Sequence, residues 1–168
     1  ARTSAKVIAT ASRPESKRWV KAMGADVVLD HSQDLAAQLQ QQGIEKVDMV
    51  LATRSSASHL ATIPQLLKAY GHLALLDAFQ SLDVSSLTPY SISVHLEAVF
   101  SRVVTNQHPE QQGLILRALT ELVEAGKVRT TLQKTLSGLT SENVRAAHEL
   151  VEKGNMIGKV VLDLGSAR

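Results

Sequence analysis

The sequence has 168 residues, of which 44% are hydrophobic, 20% are charged and 3% are aromatic, and its formal net charge is +2. This composition is typical of one folded domain and excludes an intrinsically disordered chain. The small charge and the scarcity of aromatic rings argue against nucleic-acid binding, which uses basic surfaces and stacking platforms. No apolar run is long enough to span a bilayer, and cysteine is absent, which excludes disulfides and thiolate metal sites. We therefore expect a cytoplasmic protein.

The sequence opens with a strand pattern that leads into a helix. Residues 6–11 are rich in strand-forming side chains and predict a strand. Ser12 and Glu15 have the spacing of a capping box, in which each side chain bonds the other residue's backbone N–H, and Pro14 suits the first turn. We therefore predict a helix from this point to Gly24, where a left-handed glycine can end it.

A second strand and helix follow, and then a third strand. Residues 27–29 form a short run of strand-forming side chains. An apolar stripe between Leu35 and Leu39 predicts a helix that Gly43 ends. Residues 47–52 predict the third strand.

The next unit completes a repeating β-α-β pattern. A helix is predicted over roughly 59–69 and is ended by Gly71. The fourth strand is predicted at 72–77, where a nearly continuous apolar run favours burial on both faces. Strands that alternate with helices in this way predict a parallel sheet with helices on both faces.

The regular alternation of strands and helices ends after Asp77, and residues 82–89 predict a loop. The remaining elements are predicted as a strand at 91–96, a helix at 111–124, a strand at 128–132, a helix at 141–153 and a strand at 159–162. The fold class is therefore α/β, with a doubly wound, mostly parallel, Rossmann-like sheet. The sequence shows no internal repeat and no long linker.

Polar residues at the ends of the predicted strands are the candidates for ligand binding, because open parallel sheets bind ligands there. A dinucleotide fold that prefers NAD places an acid after its second strand, which would repel a 2′-phosphate. Here Ser12 and Arg13 follow the first strand of this sequence, and a hydroxyl, a guanidinium and a helix N-terminus together favour a phosphate. Lys17 adds charge one turn later. The alternative is that Ser12 only caps the helix and Arg13 is solvated.

Two other strand ends carry weaker signals. His31 could stack on a base or contact a phosphate, or it could be an ordinary surface residue. Asp77 could accept a hydrogen bond from a ribose hydroxyl, or it could cap a turn. The six histidines include no closely spaced pair, so we predict no metal site, and no G-x-S-x-G motif supports a catalytic triad.

A dinucleotide fold also needs a glycine-rich loop after its first strand, and no G-x-G-x-x-G motif occurs in this sequence. Residues 1–4 would be the tail of the helix that follows such a loop, and residues 6–11 would be the second strand. We therefore expect a Rossmann-like sheet that is incomplete at its N-terminus and lacks its central strand.

At this point the residues resemble the C-terminal part of medium-chain dehydrogenases/reductases, in the zinc-type alcohol dehydrogenase-like and quinone oxidoreductase branch. The likeness extends in order through essentially the whole sequence. It is carried by residues 7–15 with 21–26, 30–32, 47–51, 125–130, 146–148 and 158–162.

The resemblance implies NADPH as the hydride donor to a quinone, an enone or another carbonyl substrate. It implies that Ser12, Arg13 and Lys17 face the 2′-phosphate of the adenosine. The other implied cofactor-binding residues are His31, at the place of a tyrosine in relatives, Ala52 and Thr53 along the cofactor, and Asp77, Ala78 and Phe79 near the nicotinamide ribose. It implies no catalytic residue in this chain and no catalytic zinc.

The same resemblance divides the chain into a partial NADP-binding domain at 1–126 and a segment at 127–168 that in relatives packs on a separate catalytic domain. We expect the full-length enzyme to be a homodimer and this chain alone to be inactive. One alternative is a non-enzymatic nucleotide-binding or dimerising module, since the fold hosts many functions. Another is a methyltransferase, which the absence of an acid at Ser12 and Arg13 disfavours.

Overall fold

The computed structural model describes residues 3–54, 59–77 and 80–165. The strands are β1 (Ile8–Thr10), β2 (Val27–Leu29), β3 (Val47–Ala52), β4 (Leu67–Leu75), β5 (Ser93–Leu96), β6 (Leu132–Ser137) and β7 (Lys159–Asp163). The α-helices are α1 (Pro14–Ala22), α2 (Leu35–Gln41), α3 (Ile63–Leu66), α4 (Ser101–Val104), α5 (Glu110–Glu124) and α6 (Ser141–Glu152). Short 3₁₀ helices cover Leu60–Thr62 and Ser85–Tyr90. None of the helices in these ranges is long and apolar enough to cross a membrane.

The described strands pair in parallel, as the sequence predicts, and they form three sheets rather than one. β1 pairs with β2, β3–β4–β5 form a three-stranded sheet, and β6 pairs with β7. In a complete doubly wound sheet, the strands numbered along the chain lie in the order 3-2-1-4-5-6. The β1–β2 pair of this chain corresponds to strands 2 and 3 of that order, and the β3–β4–β5 sheet corresponds to strands 4, 5 and 6. The fold is therefore Rossmann-like α/β.

The predicted helix at 59–69 is wrong in its second half. The helical segment ends at Leu66, and β4 begins at Leu67. β4 bulges after this residue, because the register with β3 passes from Val47↔Leu67 to Met49↔His72. Tyr70 takes a positive φ of 62° within the bulge.

Gly71 lies inside β4 and does not end a helix as predicted. A Cβ at this position would lie 2.8 Å from the carbonyl oxygen of Lys68 and 3.1 Å from that of Asp48. Glycine therefore serves here to let the bulged strand approach β3 closely.

The strand predicted at 128–132 is also displaced, since β6 covers Leu132–Ser137. The backbone N–H groups of Lys127 and Val128 both donate to the carbonyl of Leu122, at 2.9 and 3.1 Å. Gly126, with φ +67°, makes this turn possible. The C-terminal turn of α5 therefore takes up the first residues of the predicted strand.

The main core lies on one face of the β3–β4–β5 sheet. Its buried side chains are Leu60, Ile63, Leu67, Leu73, Leu75 and Leu87. A second cluster of Leu29, Leu39 and Leu66 joins β2, α2 and α3. The other face of the β3–β4–β5 sheet is open, because Met49 and Leu51 are 67% and 63% exposed. The expected burial of the fourth strand on both faces is therefore wrong for this chain, since His72 and Leu76 alternate with buried leucines and are exposed.

Much apolar surface stays uncovered beyond the core. The chain exposes 12412 Å², whereas a compact 18.1 kDa monomer exposes about 8,100 Å². Val99, Phe100 and Val104 are 76%, 69% and 81% exposed, and α5 and α6 contain no buried residue. The helices and strands thus leave more surface exposed than those of a compact monomer of the same mass.

Candidate functional site

The ends of the parallel strands bring the predicted site residues into two groups, one for each sheet. Ala11 N–H donates to the carbonyl of Leu29 at 2.8 Å, which sets Ser12 and Arg13 beside Asp30. In the other sheet, Leu76 N–H donates to the carbonyl of Ala52 at 3.1 Å. Thr53 and Asp77 therefore follow neighbouring strands at the same edge.

The N-terminus of α1 is built differently from the predicted capping box. The N-cap residue is Arg13, with extended φ −88° and ψ 145°, and its side chain makes no capping hydrogen bond. Pro14 occupies the first helical position, so Ser12 lies one residue too early to cap, and the predicted Ser12–Glu15 box is wrong. The first intrahelical bond runs from Lys17 N–H to the carbonyl of Arg13 at 2.9 Å.

The missing side-chain cap has an electrostatic consequence. The N–H groups of Glu15 and Ser16 precede the first intrahelical bond, so they have no carbonyl partner inside the helix. They point outward at the positive end of the helix macrodipole. Ser12 and the side chain of Arg13 flank this end of the helix, so the arrangement suits an anion.

The Arg13 guanidinium is held in place from two sides. Its Nη2 donates to the backbone carbonyl of Asn155 at 2.7 Å, and its Nη1 lies 3.2 Å from the carboxylate of Glu15. The side chain is 41% exposed. A guanidinium has five N–H donors, so these two contacts leave capacity for a further anion.

Lys17 makes an ion pair next to this helix end. Its Nζ lies 2.7 Å from Oδ2 of Asp30. The other carboxylate oxygen, Oδ1, accepts hydrogen bonds from the backbone N–H and the hydroxyl of Ser32 at 3.0 and 2.6 Å. The hydrogen bond from Lys17, followed by those from Ser32, holds the pKa of Asp30 well below its usual range. Asp30 is therefore a charged but neutralised neighbour of Arg13.

Replacing Asp30 by asparagine should remove a pH-dependent part of the stability. The folded-state pKa of Asp30 is depressed relative to the unfolded chain, so its contribution is present above the unfolded pKa, near 4, and is lost as the pH falls below it. Urea denaturation from pH 7 to pH 3 should show a steeper loss of unfolding free energy for the wild type than for Asp30→Asn. Asp34→Asn is the control, and equal slopes for wild type and Asp30→Asn would contradict the ion pair.

The remaining predicted site residues are placed as follows. His31 is exposed in the turn after Asp30, Thr53 is exposed directly after β3, and Ala52 is half-buried at the end of that strand. Asp77 is half-buried after Leu76. Ala78 and Phe79 lie outside the described residues.

Sequence reasoning missed two contributors to the first group, Asp30 and the backbone of Asn155, and one contact, between Lys17 and Asp30. Asp30 does not stand out among the candidate residues at the strand ends, although the spacing Asp30-x-Ser32 is a recognised signal of a side-chain-capped turn. The charge of Lys17 indicates a role in binding an anion, but the sequence does not indicate its ion pair with Asp30. No sequence signal could reveal the carbonyl of Asn155, because it is 142 residues away from Arg13.

Potential metal ligands do not gather in groups of three or more among residues 3–54, 59–77 and 80–165. No three His, Asp or Glu residues in these ranges come close enough together to hold an ion. Protein zinc sites use three or four protein ligands, commonly including cysteine, which this sequence lacks. The described side chains therefore do not fit a zinc site of that kind.

Comparisons with known proteins point to one family. Residues 23–162 match the family model described as zinc-binding dehydrogenase. A zinc-type alcohol dehydrogenase-like protein of Staphylococcus aureus (strain MSSA476) is 35% identical over 161 residues, covering 94% of this chain and 48% of that protein.

Solved structures agree with this result. A Rhizobium etli CFN 42 protein described as a zinc-dependent alcohol dehydrogenase is 38% identical, with a TM-score of 0.89 over 96% of this chain and 48% of that chain. A quinone oxidoreductase of Pseudomonas syringae pv. tomato DC3000 is 19% identical, with a TM-score of 0.73 over 94% of this chain and 49% of that one, and shows a shared fold. The chain thus spans about half the length of the relatives it matches.

The family model covers most of the chain, and both the curated relative and the Rhizobium structure align with nearly all of it. The chain therefore belongs to the zinc-binding dehydrogenase family, within the medium-chain dehydrogenases/reductases.

Proposed function

We propose that this chain is the cofactor-domain portion of an NADPH-dependent oxidoreductase that reduces a quinone, an enone or another carbonyl by hydride transfer. The observation that carries the proposal is the N-terminus of α1, which has no side-chain cap and is flanked by Ser12 and Arg13. No carboxylate occupies positions 12 and 13, where an acid would favour a free ribose. The family supports a nicotinamide cofactor, and the charge at this helix end favours the phosphorylated form.

In this proposal each side chain of the first group has a part in holding the adenosine 2′-phosphate. The free N–H groups of α1 and the Ser12 hydroxyl donate to phosphate oxygens, and the Arg13 guanidinium supplies a charge-assisted contact. Lys17 neutralises Asp30, so that this carboxylate does not repel the phosphate. His31, in the turn after Asp30, packs near the same end of the cofactor.

The second group lies along the rest of the cofactor in the same proposal. Ala52 and Thr53 lie along the cofactor at the end of β3, and Asp77 lies near the nicotinamide ribose, a role that the family resemblance also implies for Ala78 and Phe79. NADPH itself supplies the hydride, and the protein supplies position and charge. The proposed substrate class is the one that the family resemblance implies. We place the second wall of the substrate cleft outside this chain.

Arg13→Asp in the full-length enzyme should reverse the cofactor preference. Losing one charge-assisted contact and adding a repelling carboxylate should lower kcat/KM with NADPH by about 100-fold, while kcat/KM with NADH changes little. Steady-state kinetics with both cofactors measure the ratio. Arg18→Asp is the matched control, because Arg18 is an exposed arginine on the same helix, and its ratio should stay that of the wild type.

The same preference can be followed in this chain alone through its single tryptophan, Trp19, which lies in α1. Titration with 2′,5′-ADP should change Trp19 fluorescence at lower concentration than titration with 5′-AMP, and Arg13→Asp should abolish the difference. Equal use of NADH and NADPH by the enzyme, unaltered by Arg13→Asp, would refute the proposed phosphate site.

A further inference from the structure

The Arg13 guanidinium already contacts an acid of the chain itself. Its Nη1 lies 3.2 Å from Oε1 of Glu15, while its Nη2 donates to the carbonyl of Asn155 at 2.7 Å. Pro14 and Glu15 are the first two helical residues of α1, so the carboxylate belongs to the positive end of the helix macrodipole. Glu15 is therefore held by the same groups to which the proposed function assigns a phosphate.

A phosphate and the Glu15 carboxylate would compete for these groups. An ionised carboxylate offers two acceptor oxygens and one negative charge, whereas a phosphate monoester offers three oxygens and about two negative charges at neutral pH. The phosphate is therefore the stronger ligand of the guanidinium and of the uncapped helix end. A phosphate bound beside an unmoved Glu15 would meet a like charge, so its binding favours a Glu15 side chain that has turned away.

The ion pair can open without releasing Arg13. The side chains of Arg13 and Glu15 are 41% and 48% exposed, and ion pairs with this much exposure contribute little to stability. The contact with Asn155 uses the other terminal nitrogen of the guanidinium. Arg13 therefore keeps its anchor to the backbone when Glu15 leaves.

We propose that Glu15 is an internal competitor at the 2′-phosphate site, which holds Arg13 in the free protein and is displaced when the phosphate of the nucleotide binds. A nucleotide with a free 2′-hydroxyl brings no charge to this place and leaves the ion pair closed. This inference rests on the proposed function, because it requires that the phosphate binds at Arg13. It adds a residue whose charge opposes the binding of the ligand, so that its neutralisation strengthens binding.

Glu15→Gln should bind 2′,5′-ADP about threefold to tenfold more tightly than the wild type, because no carboxylate has to be displaced and none then repels the phosphate. The affinity for 5′-AMP should change little. Fluorescence of Trp19 in α1 measures both affinities in this chain at low salt. Because added sodium chloride screens exposed charges, the gain in affinity for 2′,5′-ADP should shrink as the salt concentration rises.

Glu142→Gln is the matched control, because Glu142 is an exposed acid in the first turn of another helix, α6, and its affinity for 2′,5′-ADP should equal that of the wild type. Circular dichroism checks that each variant is folded, since a first-turn acid also stabilises its own helix. An equal gain in Glu142→Gln, or an equal gain for 5′-AMP, would overturn the competitor role.

The failure of this inference can be told apart from the failure of the proposed function. If Arg13→Asp weakens the binding of 2′,5′-ADP and a folded Glu15→Gln binds it no more tightly than the wild type, only the competitor role of Glu15 is wrong. If neither the wild type nor Glu15→Gln prefers 2′,5′-ADP to 5′-AMP, the phosphate site and the competitor are both wrong.

Discussion

Leu73→Ala should lower the free energy of unfolding by about 2 to 5 kcal/mol, because it removes a fully buried side chain and leaves a cavity. Leu73 is 0% exposed at the centre of β4. It packs in the main core with the helical residues Leu60 and Ile63 and the strand residue Leu75. These neighbours belong to three consecutive elements, so the cavity cannot close by moving one of them alone.

Urea denaturation followed by circular dichroism measures the effect of Leu73→Ala. Leu96→Ala is the control, since Leu96 lies on the neighbouring strand β5 but is 69% exposed. Its truncation should change the unfolding free energy by no more than about 0.5 kcal/mol. Similar losses for the two variants would mean that the main core is not the source of stability that its burial indicates.

Gly158→Ala should destabilise the β6–β7 pair by about 2 to 4 kcal/mol, from two causes that act together. Gly158 has φ +73°, a conformation that alanine adopts only at a cost. An added Cβ would also press into the carbonyl oxygen of Thr131 and the side chain of Gln133. The same carbonyl accepts the hydrogen bond from Lys159 N–H at 2.7 Å, so the first link of the pair would be lost.

Gly43→Ala separates these two causes. Gly43 has a similar φ of +69°, but an added Cβ there would meet nothing within 4 Å. We expect this control to cost about 1 to 2 kcal/mol, which is the conformational part alone. Amide hydrogen exchange of Lys159, measured by NMR, should accelerate in Gly158→Ala and not in Gly43→Ala. Unchanged exchange of Lys159 in Gly158→Ala would contradict the predicted steric conflict.

The strands were predicted well where apolar runs are short and bounded by turn residues. The strands predicted at 27–29 and 47–52 agree with β2 and β3. Short runs of β-branched and apolar side chains bounded by turn residues are typical of strands. The helix at 59–69 failed in its second half, because leucines at 66 and 67 fit a helical stripe as well as a buried strand. Pairing with β3 decides between helix and strand here. The residues near Leu66 and Leu67 in the sequence do not show which strand they will pair with.

The candidate site could likewise be predicted from the sequence only in part. The position of Ser12 and Arg13 could be predicted, because it depends only on where a strand ends and a helix begins. Their contacts could not, because the partner of Arg13 is the backbone of Asn155 and the partner of Lys17 is a side chain on another strand end.

In the described part of the chain, β1 and β3 each use one edge for pairing, with β2 and with β4, and keep the other edge unpaired. Both strands belong to parallel arrangements. A guest strand that aligned with either edge in the same direction would bring its last residue out beside Ser12 or beside Thr53. Such a strand would therefore end at the same rim as the candidate site residues that follow β1 and β3.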